Sequence, residues 1–194
     1  MIPEDLVPPN CPWPIVLGID PGTRVIGYGA ILVARETPRL LACGVLRAPR
    51  DGSVATRLAR LQDELDLLLR RLRPTSLALE GAFSARNVRS ALRIGEARGV
   101  VLASAARVGI EVAEIPPAVA KKAVLGHGNG TKEQVARLVS TILSCAELAV
   151  PPDATDALAL ALAHANRLRF RARLTGTVGL AEIPSRASNE RAPR

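Results

Sequence analysis

The sequence predicts an α/β fold in which helices flank a mixed five-stranded sheet, with three antiparallel strands followed by parallel strands. Three observations predict this fold. Three β-rich runs follow one another near the start, joined by connections too short for a helical crossover. Two strand-like runs come later with a helix-length stretch between them, which makes them parallel. The 194 residues amount to about one ordinary domain.

The first strand is predicted over residues 15–20, where the run IVLGID stands between a proline and a Pro-Gly turn. Because this run is apolar until its last residue, the strand should be buried, with the carboxylate of Asp20 at its exit. Residues 25–33 and 40–46 give the next two strands, and their short connections predict an antiparallel meander.

A helix is predicted over residues 53–72, because apolar residues recur there at helical spacing and Ser53 is placed as an N-cap. Residues 76–79 form the fourth strand, which again closes on an acid, Glu80. A second helix over 87–108 and a fifth strand over 110–115 follow. The apolar positions of the first helix are Val54, Leu58, Leu61, Leu65, Leu68 and Leu72.

We assign the domain to residues 15–170. Its last part is predicted to be helical. Short helices are expected at 119–125 and 132–145, with the glycine-rich linker GHGNG between them. The stretch DATDALALALAHANRL, which follows two prolines, predicts a long final helix over 153–168. No internal repeat is present in the sequence.

The chain is strongly basic, with a net charge of +8. This charge favours a polyanionic partner, because binding to DNA or RNA releases condensed counterions. Residues 171–194 are predicted to form a basic tail without regular structure, and residues 1–14 an N-terminal extension.

Lysine is rare and clustered. The chain has 23 arginines but only three lysines, and Lys121, Lys122 and Lys132 all lie in one short stretch. This clustering indicates sites that require a compact ammonium group. The alternative is chance in a solvated helical region.

The composition predicts a soluble cytosolic protein with no membrane association. No apolar run approaches the ~20 residues that a membrane-spanning helix needs. The first 14 residues lack the charged start and apolar centre of a signal peptide. Cys11, Cys43 and Cys145 are widely spaced and odd in number, which favours neither a disulfide framework nor a zinc site.

Four acidic residues stand where an apolar pattern stops. Asp20 and Glu80 end strands, whereas Asp153 and Asp156 begin the last helix at a spacing that places both on one helical face. If the first and fourth strands are neighbours, the four carboxylates meet at one sheet edge. Such hard oxygen ligands suit Mg²⁺ or Mn²⁺, and two ions ~4 Å apart promote phosphodiester hydrolysis. Each acid also has a purely structural interpretation, in a turn, at a strand end or as a helix cap.

Four stretches of the chain together resemble the RuvC family of Holliday-junction resolvases, whose fold is RNase H-like. They occur in the family's order and at its spacing, over residues 15–166. The mixed sheet predicted above agrees with that fold. The four stretches are VLGIDPGTRVIGYG (16–29), LALEGAFSARNVRSALRIGEARGV (77–100), VAKKAVLGHGNGTKEQV (119–135) and PPDATDALALALAHA (151–165).

The resemblance implies a Mg²⁺-dependent endodeoxyribonuclease that resolves four-way DNA junctions by paired symmetric nicks during homologous recombination and repair. Asp20, Glu80, Asp153 and Asp156 match the family's catalytic, metal-binding acids, so the set is complete. By this resemblance each active site takes two Mg²⁺ ions, with Mn²⁺ as a substitute.

The resemblance also implies DNA-binding residues. Phe83 matches an aromatic residue that interacts with bases at the opened junction, and a phenyl ring can stack on an unpaired base. Lys121 and Lys132 match functional lysines, whose implied role is phosphate contact or charge stabilisation. Lys122 has no such match.

The implied assembly is a homodimer in the cytoplasm that works with the branch-migration proteins RuvA and RuvB. Two symmetric nicks need two active sites, which a two-fold dimer supplies. Small residues of the second helix, namely Ala97, Gly99, Ala103 and Ala106, could pack closely against a partner, and packing within the core explains them equally well.

Three other functions remain open from the sequence. An actin-like ATPase or sugar kinase also has an acid and a Gly-Thr turn after its first strand, but the chain offers only one such lobe. An RNase H-like nuclease acting on RNA precursors would share the acids, and a DNA-binding module without activity would not need them. Neither His127 nor His164 is expected to take part in catalysis, because Asp153 fills the position where related nucleases place a histidine.

Overall fold

The computed structural model describes residues 7, 11–34, 37–81, 88–127, 130–145 and 150–174, and these contain five strands and five helices. Every predicted element is present. In chain order they are β1 (Ile15–Asp20), β2 (Val25–Leu32), β3 (Arg39–Arg47), α1 (Val54–Leu72), β4 (Ser76–Glu80), α2 (Val88–Arg107), β5 (Glu111–Ile115), α3 (Pro117–Leu125), α4 (Lys132–Ile142) and α5 (Pro152–Leu174).

The five strands form one mixed sheet in the order β3-β2-β1-β4-β5. The strands β1, β2 and β3 pair antiparallel, as the short connections predicted. The strand β4 pairs parallel with β1 and also with β5, so the helical crossovers α1 and α2 join parallel strands. The predicted neighbourhood of the first and fourth strands is therefore confirmed.

The two faces of the sheet pack against different helices, because successive side chains of a strand point to opposite sides. In β1, Leu17 and Ile19 are fully buried in a cluster with apolar residues of α1 and α2. Val16 belongs to the cluster on the other face, together with residues of α3, α4 and α5. The helix α5 contacts β1 and β2 directly, and α3 and α4 pack over it.

The predicted N-cap of the first helix is present. The hydroxyl of Ser53 accepts a hydrogen bond from the backbone N–H of Thr56 and caps α1. The helix α1 ends at Leu72, because the C-cap residue Arg73 takes a left-handed conformation with a φ of 44°.

No helix among the described ranges is both long and apolar enough to cross a membrane.

Two helix ends differ from the prediction. The helix α4 stops at Ile142 rather than at residue 145, because the chain turns through Ser144, whose φ is 52°. The helix α5 continues to Leu174, past the predicted end at residue 168 and into the segment assigned to the tail. Residues 175–194 and most of the predicted N-terminal extension lie outside the described residues.

Candidate active site

The carboxyl ends of β1 and β4 bring Asp20 and Glu80 together. The two strands run parallel with Ile19 opposite Leu79, so the next residue of each strand is an acid at the same sheet edge. Both acids are partly buried, and a hydrogen bond joins their side chains. This is the pairing that the sequence predicted only on condition that the strands are neighbours.

The helix α5 begins over the same edge and supplies the other two acids. An ideal Cβ on Gly27 of β2 would lie 2.1 Å from the carbonyl oxygen of Asp153, and a Cβ on Gly18 would lie 1.9 Å from that of Ala157. Only glycine allows a backbone approach of this kind. The two glycines therefore form a seat on which the first turns of α5 rest, and Asp153 and Asp156 lie near enough to Asp20 for their charges to act on it.

The pKa of Asp20 reflects the charges of the other three acids. Its pKa is raised to about 7, first by burial and then by the negative charges of Glu80, Asp156 and Asp153. Burial and Asp156 also raise the pKa of Glu80, although the hydrogen bond from Asp20 and the positive charges of Arg98 and Lys132 oppose that rise. Negative charge is thus in excess at this edge of the sheet.

Lys132 lies at the same site. It is the first residue of α4, whose N-terminus is fixed by a capping box between Thr131 and Gln134. Its ammonium nitrogen Nζ is 3.2 Å from Oδ2 of Asp156, and this bond raises the pKa of the lysine. The side chain of Lys132 remains largely exposed, so its ammonium group is accessible to a phosphate.

The donor set fits a hard divalent cation. Four carboxylates supply oxygen ligands, and a cation would neutralise the excess charge that raises the pKa of Asp20. Within the described part of the chain, however, no three acidic, histidine or cysteine side chains already converge as a metal cluster. Ion binding would therefore require the carboxylates to turn from their present partners towards a shared ion.

Other candidate residues have different positions. Lys121 is half-buried on α3, and within the described ranges no hydrogen bond or ion pair joins it to the acids. Phe83 lies outside the described residues. His164 is buried on α5 with its Nε2 3.1 Å from the hydroxyl of Ser76, which lies four residues before Glu80 at the other end of β4. His127 is exposed after α3.

Sequence reasoning did not identify three residues that shape this site. Gly18 and Gly27 seat α5, and glycines inside otherwise apolar strands are a recognised sign of a close backbone approach. Arg98, buried on α2, donates a hydrogen bond to the backbone carbonyl of Glu80. No sequence feature distinguishes Arg98 from the other 22 arginines, because its burial depends on the packing of α2.

Known proteins match most of the chain. The family model described as crossover junction endodeoxyribonuclease RuvC matches residues 16–164. The crossover junction endodeoxyribonuclease RuvC of Heliobacterium modesticaldum is 43% identical over 156 residues, which cover 80% of this chain and 96% of that protein. The four acids, Lys121 and Lys132 all fall within the matched residues.

Solved structures give the same result. The RuvC of T. thermophilus in complex with a Holliday junction substrate superposes with a TM-score of 0.76 at 35% identity, covering 81% of this chain and 96% of the other. The yeast mitochondrial Holliday junction resolvase has a TM-score of 0.60 at 17% identity, covering 88% of this chain and 84% of its own, which supports the fold alone. The expected RNase H-like fold is confirmed, and the chain belongs to the crossover junction endodeoxyribonuclease RuvC family.

Proposed function

We propose that this protein is a Mg²⁺-dependent endonuclease that resolves four-way DNA junctions by paired symmetric nicks. The observation that carries the proposal is the pairing of Asp20 with Glu80 at one sheet edge, where the charges of Asp153 and Asp156 on α5 also act on Asp20, in a basic protein. The T. thermophilus relative bound to a Holliday junction substrate supports the choice of DNA. Neither a kinase nor an enzyme acting on RNA is favoured by any relative considered above.

Asp20, Glu80, Asp153 and Asp156 would hold two Mg²⁺ ions, which when bound would activate water and stabilise the leaving oxygen of the scissile phosphodiester. With a pKa of about 7, the carboxyl group of Asp20 can release its proton near neutral pH, as a ligand must. Lys132 would meet the phosphate at the cut.

We infer that the DNA contacts extend beyond the acids. Lys121 and Phe83 are proposed to bind the junction, the lysine through phosphate and the phenyl ring through an unpaired base. The excess of basic residues would supply the general attraction to the phosphate backbone. We place the enzyme in the cytoplasm, where it would act with the branch-migration proteins RuvA and RuvB.

We further propose a homodimer formed through the exposed face of α2. This face carries Leu92, whose exposure is 64%, and the exposed small residues Gly99, Ala103 and Ala106. Ala97, which the sequence analysis grouped with them, is fully buried in the core instead. A two-fold axis at α2 would give the assembly two active sites, one for each nick. Further exposed apolar residues of α2 are Val88, Ile94 and Leu102.

The first test is cleavage of a synthetic four-way junction beside a linear duplex of the same sequence, with Mg²⁺ and with a chelator. Paired symmetric nicks in the junction alone, lost on chelation, are the expected result. Cleavage of structured RNA or hydrolysis of ATP, with an intact junction, would move the function to one of the alternatives.

Replacing Asp20 with Asn should abolish cleavage and leave junction binding largely intact, because the change removes a proposed metal ligand but no phosphate contact. Binding is measured by gel shift in the presence of chelator, and cleavage in Mg²⁺. Asp63→Asn, on the exposed side of α1, is the matched control and should behave as the parent. Loss of binding together with cleavage would contradict this division of roles.

A further inference from the structure

Arg98 is a buried charged residue with two partners on different strands. Only 7% of the residue is exposed, and it lies on the side of α2 that faces the sheet. Its Nη1 donates to the backbone carbonyl oxygen of Glu80 at the end of β4. Its Nη2 is 2.9 Å from Oε2 of Glu114 on β5. One guanidinium group therefore spans the ends of two parallel strands.

The main chain at Glu80 is fixed from two directions. The backbone N–H of Gly81 donates to the carbonyl oxygen of Ile115 at 2.8 Å, which extends the pairing of β4 and β5 by one residue. Arg98 holds the carbonyl group of Glu80 itself. Because a guanidinium group offers several donors in one plane, it can hold this carbonyl and the carboxylate of Glu114 at the same time.

We propose that Arg98 is a positioning residue, which fixes the backbone of Glu80 so that its carboxylate is presented to a divalent metal ion beside Asp20. The inference rests on the proposed role of Glu80 as a metal ligand. Groups that hold a ligand in place commonly change metal affinity when they are removed, typically by 10- to 100-fold. Arg98 touches neither the metal ion nor the DNA in this proposal.

A role in stability alone is the competing explanation, since a buried arginine also ties α2 to the sheet. The two roles differ in what they change. A stabilising residue alters the fraction of folded protein, whereas a positioning residue alters the affinity of the folded protein for metal. Metal binding by folded protein, measured without DNA, therefore distinguishes them.

The experiment compares Arg98→Met and Arg98→Lys in the full chain. Arg107→Met is the matched control, because Arg107 lies on the same helix in an exposed pair with Asp66 at 3.5 Å. Mn²⁺ binding is measured by calorimetry, and the Mg²⁺ concentration for half-maximal junction cleavage is measured separately. Thermal unfolding gives the folded fraction of each variant.

We expect Arg98→Met to weaken Mn²⁺ binding and to raise the half-maximal Mg²⁺ concentration by at least 10-fold. Arg98→Lys should lie between this variant and the parent, because an ammonium group keeps the charge but cannot span both partners. Arg107→Met should match the parent. A lower unfolding temperature with unchanged metal affinity in Arg98→Met would overturn the inference.

Two further variants keep the test decisive. If Arg98→Met does not fold, Glu114→Gln removes the charge of the outer partner while Arg98 keeps its bond to Glu80. Mn²⁺ affinity should then be weaker than in the parent, by less than the roughly 10-fold change expected for Arg98→Met. Parent-like affinity in both Glu114→Gln and Arg98→Lys would then refute the positioning role. Glu80→Gln tests the proposed function separately: if it binds Mn²⁺ as the parent does, Glu80 is not a ligand, whatever Arg98 does.

Discussion

The two longest helices, α5 and α2, lie against opposite faces of the sheet and differ in how completely they are covered. In α5 the side chains from Ala154 to Ala165 are nearly all buried, between the sheet on one side and α3 and α4 on the other. In α2 only Ala97, Arg98, Val101, Ser104 and Ala105 are buried. The long apolar side chains exposed on α2 have no counterpart in the central part of α5.

This difference corresponds to two ways of placing a carboxylate. The helix α5 carries two acids in its own first turns and is held by direct backbone contact with Gly18 and Gly27. The helix α2 carries no acid of the site and reaches Glu80 through one side chain, Arg98. The covered helix α5 is thus part of the scaffold, while the half-covered helix α2 exposes the face that we propose binds a second copy.

The largest expected effect concerns the seat of α5. Gly18→Ala places a Cβ 1.9 Å from a backbone oxygen of Ala157, and backbone atoms cannot yield as a flexible side chain can. We expect a loss of about 3 kcal/mol in the free energy of unfolding, measured in urea. Cleavage by the folded fraction should also fall, because a displaced α5 would move Asp153 and Asp156 away from Asp20.

The same substitution on α2 is the control. An alanine at Gly95 meets no atom within 4 Å, and alanine favours a helix over glycine by about 0.5 to 1 kcal/mol. Gly95→Ala should therefore unfold at equal or higher urea concentration than the parent. If the two glycine variants were equally destabilised, the contrast between a seated and a half-covered helix would be wrong.

A second prediction concerns the exposed face of α2. Leu92→Glu puts a charge on the proposed dimer contact, and the dissociation constant should rise about 100-fold, or about 2.7 kcal/mol. Sedimentation at several protein concentrations measures this change. The free energy of unfolding of the monomer should change by less than about 0.5 kcal/mol, since the side chain is 64% exposed.

Leu174→Glu is the matched control for that variant, because Leu174 is a similarly exposed leucine at the end of α5. It should leave the dimer unchanged. If Leu174→Glu dissociated the dimer and Leu92→Glu did not, the dimer contact would lie on α5 rather than on α2, and the contrast between the two helices would be wrong.

The smallest expected effect is a pH dependence that arises within α5. Burial, the largest cause, lowers the pKa of His164 below its ordinary value near 6.5; the negative charge of Glu111 opposes this, and Arg167 and Arg171 lower the pKa further. The unfolded chain therefore binds a proton at a pH where the folded protein does not. His164 thus reduces the free energy of unfolding as the pH falls below about 6.5, and this effect is absent at higher pH.

Urea unfolding between pH 5 and pH 8 measures this effect by comparing the parent with His164→Gln. The increase of the free energy of unfolding with pH should be smaller in the variant. Because the acids are the same in both proteins, the difference between them is due to the histidine. His127→Gln is the control, because His127 is exposed and should leave the slope unchanged. Equal slopes in the parent and His164→Gln would contradict the prediction.

Much of the fold follows from local signals in the sequence. The apolar period of α1 and its Ser53 cap predicted a helix within one residue of the observed start. The run IVLGID predicted β1 at its observed bounds. The acids at strand ends could be found because polar groups rarely interrupt buried strands, and the RuvC resemblance supplied the remaining candidates.

Features that depend on packing were not predictable in this way. The end of α4 was placed too late, because Leu143 and Cys145 continue the apolar pattern while Ser144 takes a left-handed backbone conformation. The small residues of α2 looked alike in the sequence, yet Ala97 faces the core and Gly99 faces solvent. The function of Arg98 depends on which helix face meets the sheet, and that is a property of the tertiary structure.

The order of the four acids along the chain has a consequence for synthesis. Asp20 and Glu80 belong to strands that are translated early, whereas Asp153 and Asp156 arrive with α5, the last helix of the described structure. A product that terminates before residue 153 therefore lacks half of the acids and the helix that covers one face of the sheet. On the proposed assignment of the four acids, such an incomplete chain could not assemble the metal site, so cutting of DNA would have to wait until α5 has been made.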